Sequence, residues 1–204
     1  MKNWFIVQAA KIKKLGMDKT AAFLTTRMNI ALITSLVNAL GKEKAMQQIF
    51  DFGWNFGYEF ILELGANLPT DMSNAPAIGE SAWLTFTGQQ PKSVKPKNWK
   101  IGDFEVYSYI LKAEKCVFCE GVTFDGSFCI FAAGAFEGGT QTWIDLTGKP
   151  RKALARETKC KAKGDPYCEL TVLFVPEEVP IELIRDEHPE WFKEIGSGFK
   201  SFDK

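Results

Sequence analysis

The chain has 204 residues, of which 46% are hydrophobic and 25% are charged. This length and composition are typical of one globular domain, and they argue against a disordered chain or an integral membrane protein. The 25 basic residues balance the 25 acidic residues. There is therefore no overall charge that would favour nucleic acid or an anionic membrane as a partner.

The first residues resemble neither a secretory signal nor a transmembrane segment. Only residues 4–7 form an apolar run before Gln8, and both types of segment require a longer run. We therefore expect a cytoplasmic protein without a transmembrane segment. In that compartment the five cysteines, an odd number, are expected to be reduced, metal-bound or buried rather than paired in disulfides.

The predicted elements begin with two long helices, over residues 20–40 and 42–64. Apolar residues recur there every three or four positions, and Gly41 follows the first pattern where a helix would end. Gly53 and Gly57 lie four residues apart in the second helix, a spacing that lets another backbone approach closely. We interpret this pair as a site of tight helix packing.

The middle of the chain predicts a mixture of elements. Residues 80–87 indicate a short amphipathic helix or strand, and the prolines and lysines of residues 89–100 indicate a loop. The aromatic and β-branched residues of 104–118 predict a long strand, with which residues 121–124 could pair. Residues 128–143 are rich in small side chains and predict a central helix that packs closely against its neighbours.

The last third predicts a β-hairpin, with strands over residues 152–161 and 169–175 and a turn at Gly164 and Asp165. A short helix is predicted over residues 181–186. The order of helices, strands, helix and strands indicates an α+β fold. We expect long N-terminal helices packed on an antiparallel sheet of about four strands, with a central Gly-rich helix.

The hairpin carries three candidate metal ligands, Glu157, Cys160 and Cys168. Thiolate and carboxylate groups are both zinc ligands, and the turn would bring Cys168 back beside Cys160. Side chains alternate along a regular strand, however, so Glu157 and Cys160 would point to opposite faces unless the strand bulges or ends early.

A fourth ligand must come from elsewhere in the chain. Cys129 is our first candidate because it lies near the start of the central helix, where free amide groups favour a thiolate. Cys116 and Cys119 form a CxxC pair and are rival donors. The spacing alone leaves two interpretations open, a metal site or thiols that serve as small buried hydrophobes.

Two stretches carry recognisable patterns: GSFCIFAAGAFEGG has a Cys that opens a Gly-rich helix, and RETKCKAKGDPYCEL has Glu-x-x-Cys, Gly-Asp and a final Cys. Together they resemble the signature of the 4-vinyl-reductase-type domain family. This family includes sensor domains of aromatic-responsive bacterial transcription activators and stand-alone archaeal proteins, and it shares its fold with the small subunits of the vesicle-tethering TRAPP complex. The helical pair containing GKEKAMQQIFDFGWNFGYEFILEL is also similar to those subunits.

The resemblance implies a domain over about residues 20–175, preceded by an N-terminal segment, residues 1–19, and followed by a tail, residues 176–204. It also implies a zinc site, since the sensing members hold zinc through residues that match Cys129, Glu157, Cys160 and Cys168. The connection DLTGKPRK makes the spacing between Cys129 and Glu157 longer here than in those sensors. Such a zinc ion would be structural, because four protein ligands leave no open position for an activated water.

We expect no enzymatic activity. The sequence lacks a Gly-rich phosphate loop, a GxSxG motif and a nicotinamide or flavin fingerprint, so vinyl reduction is not supported either. Glu137 is an acidic residue within the predicted central helix, and we expect it at the surface.

The leading hypothesis is a non-catalytic module that binds a small molecule or lipid and acts through a homodimer or a partner protein. The resemblance implies phenol-like aromatics, tetrapyrroles or fatty acyl chains as ligands. An apolar pocket between the helices and the sheet could contain bulky aromatic residues. The candidates for this lining are Phe56, Phe60, Tyr107, Phe118, Phe131, Phe136 and Trp143.

Two alternatives remain. The first is a TRAPP-like adaptor for vesicle trafficking that has no small ligand, dimerises through its long helices and assembles with related 4-vinyl-reductase-type or TRAPP-like chains. The second, weaker alternative is a thiol redox switch that uses Cys116 and Cys119, which requires a thiol that reacts readily at neutral pH.

Overall fold

A computed structural model of the protein describes residues 19–64, 68–94, 98–119, 121–126 and 128–191. Most of the predicted N-terminal segment and the end of the predicted tail lie outside these ranges. The described elements are α1 (Lys19–Leu40), α2 (Lys42–Leu64), α3 (Ala75–Thr87), β1 (Lys92–Val94), β2 (Trp99–Ile101), β3 (Phe104–Ala113), α4 (Ile130–Thr147), β4 (Arg151–Lys159), β5 (Cys168–Pro176) and α5 (Ile181–Glu187). This arrangement confirms the predicted α+β fold. Among the described helices, none is long and apolar enough to cross a membrane.

The five strands form one antiparallel sheet in the order β1-β3-β5-β4, and β2 pairs with the first part of β3. The predicted strand 104–118 ends earlier, at Ala113, and a turn follows it. The predicted pairing of residues 121–124 was wrong, because Phe124 instead donates its amide N–H to the carbonyl of Ala162 beside the β4–β5 hairpin. The predicted loop 89–100 contains the short strands β1 and β2.

The sheet buries apolar residues on both faces. On one face, Leu111, Val172 and Phe174 belong to the main core with residues of α2, α3 and α4. On the other face, Leu173 and its neighbours pack with Ile184 of α5 in a second, smaller core. The chain that follows β5 is thus part of the folded structure as far as α5.

Helices α2 and α4 cross at very short range, as the spacing of Gly53 and Gly57 led us to expect. A methyl group at Gly57 would lie only 1.9 Å from the carbonyl oxygen of Ala135, and one at Gly53 only 2.2 Å from that of Phe131. Gly138 makes the reciprocal approach from α4 to the backbone of Trp54. Only glycine allows this backbone contact, and it fixes the position of α4 over the sheet.

Candidate metal centre and ligand cavity

Three segments that are distant in the sequence meet at one buried cluster. The turn after β3 contributes Cys119, the residue before α4 contributes Cys129, and the β4–β5 hairpin contributes the remaining donors. The ligand atoms of all five donors lie within 4.8 Å of one another. The structure therefore brings together Cys129 and the three hairpin residues, and it adds Cys119. The five donors are Cys119, Cys129, Glu157, Cys160 and Cys168.

A β-bulge explains how Glu157 and Cys160 reach the same cluster. Glu157 pairs with Leu170 and Lys159 pairs with Glu169, so the register shifts between Glu157 and Lys159. One extra residue on β4 reverses the alternation of side chains beyond it. Strand β4 then ends at Lys159. Glu157 and Cys160 therefore point to the same cluster, although they would point to opposite faces of a regular strand.

The hairpin connection holds its two thiols in place. The amide N–H of Cys160 donates to Asp165 Oδ2 at 2.8 Å, and Gly164 has a φ of +99°, which the turn requires. The amide N–H of Lys161 donates to Cys168 Sγ at 3.4 Å. The Gly-Asp sequence therefore closes the loop that brings Cys168 beside Cys160.

The five thiols are free and buried. The Sγ atom of Cys119 lies 2.9 Å from that of Cys129 and 3.7 Å from that of Cys160, and Cys116 Sγ lies 3.4 Å from Cys129 Sγ. Thiolates around one tetrahedral zinc ion are about 3.8 Å apart, given a Zn–S distance of about 2.3 Å. The distance between Cys119 and Cys160 matches this value, whereas the sulfur atoms of Cys119 and Cys129 lie closer together than two zinc-bound thiolates.

The carboxyl group of Glu157 is only partly satisfied by hydrogen bonds among the described residues. Its Oε2 accepts a hydrogen bond from the Cys129 amide at 3.2 Å, whereas its Oε1 is buried and has no hydrogen-bond partner there. Burial raises the pKa of Glu157 well above its usual range, and the neighbouring Cys160 and Cys168 add to this effect. Hydrogen bonds from Cys119 and Cys129 lower the pKa of Cys160 to about 6, and hydrogen bonds within the same cluster raise the pKa of Cys119 and of Cys129. A buried carboxylate oxygen among several thiols is a donor set that a zinc ion can use.

The remaining member of the CxxC pair, Cys116, is as buried as Cys119. Their exposed fractions are 0% and 2%. A redox switch needs a thiolate that an oxidant can reach. Burial of both sulfur atoms therefore argues against the redox-switch alternative.

An apolar cavity of about 50 Å³ lies between α2, α3, α4 and the sheet, and it is partly open to solvent. Of the aromatic residues predicted to line a pocket, Phe60, Phe136 and Trp143 do so. The sequence did not single out Tyr109 and Phe86, which also line it. The full lining is Gly57, Phe60, Ile61, Ala75, Ile78, Gly79, Ala82, Phe86, Tyr109, Ala135, Phe136, Gly139, Thr140, Trp143 and Phe174.

The other four aromatic candidates lie outside this lining and contact neighbouring rings. Phe56 stacks on Phe60, and Phe131 packs against Phe56. Phe118 lies edge-on to Trp83, and Tyr107 lies edge-on to Phe174. Tyr107 and Tyr109 share one face of β3, so only the position of the cavity along the strand decides which of them lines it.

The prediction that Glu137 lies at the surface was wrong, since its side chain is 0% exposed. Its Oε2 accepts hydrogen bonds from Arg156 Nη1 at 2.7 Å and from the Ala155 amide at 3.0 Å. The Arg156 guanidinium lies over the ring of Phe50, with its carbon 5.2 Å from the ring centroid. This buried ion pair ties α4 to the edge strand β4.

The chain matches no protein-family model. Over 63 residues, 31% of its length, it is 36% identical to an uncharacterized protein of Methanocaldococcus jannaschii, of which it spans 32%. The chain therefore aligns with only about a third of that relative.

Two solved structures have a similar fold. One is subunit 3 of the trafficking protein particle complex from Naegleria fowleri, covalently bound to palmitic acid, with a TM-score of 0.59, 17% identity, and coverage of 77% of this chain and 96% of that one. The other is the phenol-responsive sensory domain of the transcription activator PoxR with phenol, with a TM-score of 0.52, 19% identity, and coverage of 80% and 79%. These likenesses show that the chain has the TRAPP-like α+β fold that the sequence predicted.

Proposed function

We propose that the protein is a non-catalytic binding module for a small apolar ligand, an aromatic compound or an acyl chain, with a structural zinc ion beside the binding site. The apolar lining of the cavity carries this proposal. Among the lining side chains only Tyr109 and Thr140 have hydroxyl groups. A mostly apolar cavity with a few polar groups is the usual form of a small-molecule site.

The proteins with a similar fold support these ligand classes, since one is bound to palmitic acid and the other to phenol. An acyl chain attached as a thioester needs a cysteine, but none of the five cysteines lines the cavity. We therefore propose non-covalent binding. The volume of about 50 Å³ exceeds the 10–15 Å³ needed for one water. A larger ligand would have to displace the half-buried rings of Phe60 or Phe86.

Calorimetric titration with phenol and with palmitate tests this proposal. Ala82→Phe would fill the cavity and abolish binding, whereas Leu84→Phe, on the same helix but outside the lining, would leave binding unchanged. Equal binding by both variants would locate the ligand elsewhere. If neither compound binds the wild-type protein, and native mass spectrometry finds no co-purified small molecule, the ligand-binding proposal is refuted.

The zinc ion would fasten the hairpin to the start of α4. We expect about one zinc ion per chain by elemental analysis. Removal of that ion by a chelator would lower the melting temperature, because the energy of metal binding contributes to folding. A protein purified without any bound metal, and with a melting temperature that zinc leaves unchanged, would refute the site.

The second candidate function is a TRAPP-like adaptor that pairs with itself or with related chains. Exposed apolar side chains on α1 and α2 favour it, with Met28 70% and Phe52 62% exposed. Leu32 lies one turn from Met28 on α1 and is also exposed. Such side chains often mark an interface.

We expect a dimer by native mass spectrometry and a monomer for the Met28→Glu, Leu32→Glu double variant. A wild-type monomer that captures no related chain would exclude the adaptor.

A further inference from the structure

We infer that Cys119 is the fourth ligand of the metal ion. The ion would then be held by the four thiolates of Cys119, Cys129, Cys160 and Cys168, and Glu157 would lie outside the ligand set. This inference depends on the zinc site proposed above. It replaces the three cysteines and one glutamate that the family resemblance implies.

The distances between the four sulfur atoms support this set. Cys119 Sγ lies 2.9 Å from Cys129 Sγ and 3.7 Å from Cys160 Sγ. The sulfur atoms of all four cysteines lie within 4.8 Å of one another. Four sulfur atoms grouped in this way can take the corners of a tetrahedron, which is the geometry of structural zinc sites.

Glu157 also has a carboxylate oxygen within 4.8 Å of these sulfur atoms, so five donors surround a position at which a structural zinc ion takes four. Its Oε2 is already occupied by the Cys129 amide. The unpartnered Oε1 is the rival donor, yet it would be a fifth anionic ligand where structural zinc sites use four. We assign Glu157 a positioning role, in which it orients the residue that precedes α4.

Cys116 also lies outside the tetrahedron. Its Sγ lies 3.4 Å from that of Cys129, but it does not belong to the group of donors within 4.8 Å of one another. It therefore lies beside the set of four and not within it. Cys116 is a buried thiol that the ion does not need, and it provides a matched control for Cys119.

A backbone donor and the start of α4 suit negatively charged sulfur atoms at this site. The Lys161 amide donates to Cys168 Sγ at 3.4 Å. Cys129 precedes α4, whose free amide groups favour negative charge. Such outer contacts stabilise thiolate ligands. Four soft thiolates also select zinc and other thiophilic ions over magnesium or calcium.

X-ray absorption spectroscopy of the zinc-loaded, full-length protein tests this ligand set directly. We expect four sulfur neighbours at about 2.3 Å from zinc. Three sulfur neighbours and one oxygen at about 2.0–2.2 Å would overturn the inference but leave the zinc site intact. A wild-type protein that binds no zinc would overturn both the inference and the zinc site.

Three variants give a second measurement through zinc competition with a chromophoric chelator. Cys119→Ser should weaken zinc binding by at least about 100-fold, more than the loss of an outer contact costs. Cys116→Ser should bind zinc as the wild type does, and Glu157→Gln should lose less affinity than Cys119→Ser. In cobalt-loaded protein, Cys119→Ser should lose about a quarter of the thiolate charge-transfer absorbance, since one of four thiolates is removed. Unchanged binding by Cys119→Ser with loss of zinc from Glu157→Gln would overturn the inference.

Discussion

Replacing Gly57 by alanine should force α2 and α4 apart. The new methyl carbon would lie 1.9 Å from the carbonyl oxygen of Ala135 and 2.7 Å from its carbonyl carbon. Real contacts of this kind are not shorter than 3.0 Å, so one helix must move by at least about 1 Å. Because the obstacle is backbone, no side-chain rotation can relieve the clash.

The expected net loss of stability is about 2 kcal/mol. A clash with backbone places the cost of overpacking at the upper end of its usual range, about 3 kcal/mol, whereas the higher helix propensity of alanine returns about 0.5–1 kcal/mol. In a chain of this size, 1 kcal/mol corresponds to about 2–4 °C. Gly57→Ala should therefore lower the melting temperature by about 4–8 °C.

Thermal unfolding followed by circular dichroism measures this change, and Gly139→Ala is the matched control. A methyl group at Gly139 would lie 3.0 Å from Ile61 Cγ1 and 3.3 Å from the carbonyl oxygen of Gly57, so a shift of a few tenths of an ångström would accommodate it. We expect that variant to unfold within about 2 °C of the wild type. Equal melting temperatures for Gly57→Ala and the wild type would show that α2 and α4 do not approach as closely as described.

Two further predictions concern buried polar groups. Arg156→Met should lower the free energy of unfolding in urea by about 3–5 kcal/mol, because it removes the ion-pair partner of the buried Glu137. Adding Glu137→Gln to this variant should recover part of the loss. Losses that simply add in the double variant would contradict this coupling. Burial raises the pKa of Tyr109 above its ordinary value of 10.0. Its contribution to stability is thus complete below pH 10 and is lost above it, by about 1.4 kcal/mol at pH 11. Tyr109→Phe should remove that part of the alkaline loss, and an unchanged pH profile would contradict the assignment.

The helices could be predicted from the sequence because their signals are local. The apolar period and Gly41 predicted residues 20–40 and 42–64, and the helices are Lys19–Leu40 and Lys42–Leu64. The pairing of residues 121–124 could not be settled in this way. The partner of Phe124 is Ala162, which lies beyond α4 and β4 in the chain, so no local pattern records that contact.

The candidate site likewise has features that the sequence could predict and features that it could not. The Gly164-Asp165 turn predicted the proximity of Cys160 and Cys168, since a hairpin is a local structure. The bulge between Glu157 and Lys159 depends on pairing with β5, and the sequence could only state that a bulge or an early strand end was required. Cys119 was one of two rival donors because its place depends on where β3 ends.

The burial of Glu137 shows a further limit of sequence patterns. In isolation an acidic residue in a helix is most often exposed, and nothing nearby in the chain suggests a partner. Arg156 reaches Glu137 from the edge strand and lies against Phe50 of α2. The ion pair thus exists only after α2, α4 and β4 have packed together. Such tertiary contacts override the surface preference of a charged side chain.

Helix α4 connects the metal centre to the cavity. Cys129 immediately precedes the helix, and Phe136 and Trp143 of α4 line the cavity about two and four turns later. An ion that holds Cys129 also limits the positions that α4 can adopt. A ligand that fits the cavity in that arrangement of α4 should therefore bind the zinc-loaded protein more tightly than the zinc-free protein. Linkage then requires that the ligand strengthen zinc binding by the same factor. We expect removal of zinc to weaken phenol binding in calorimetry and its return to restore it. Equal phenol affinities with and without zinc would mean that α4 holds its position without the ion.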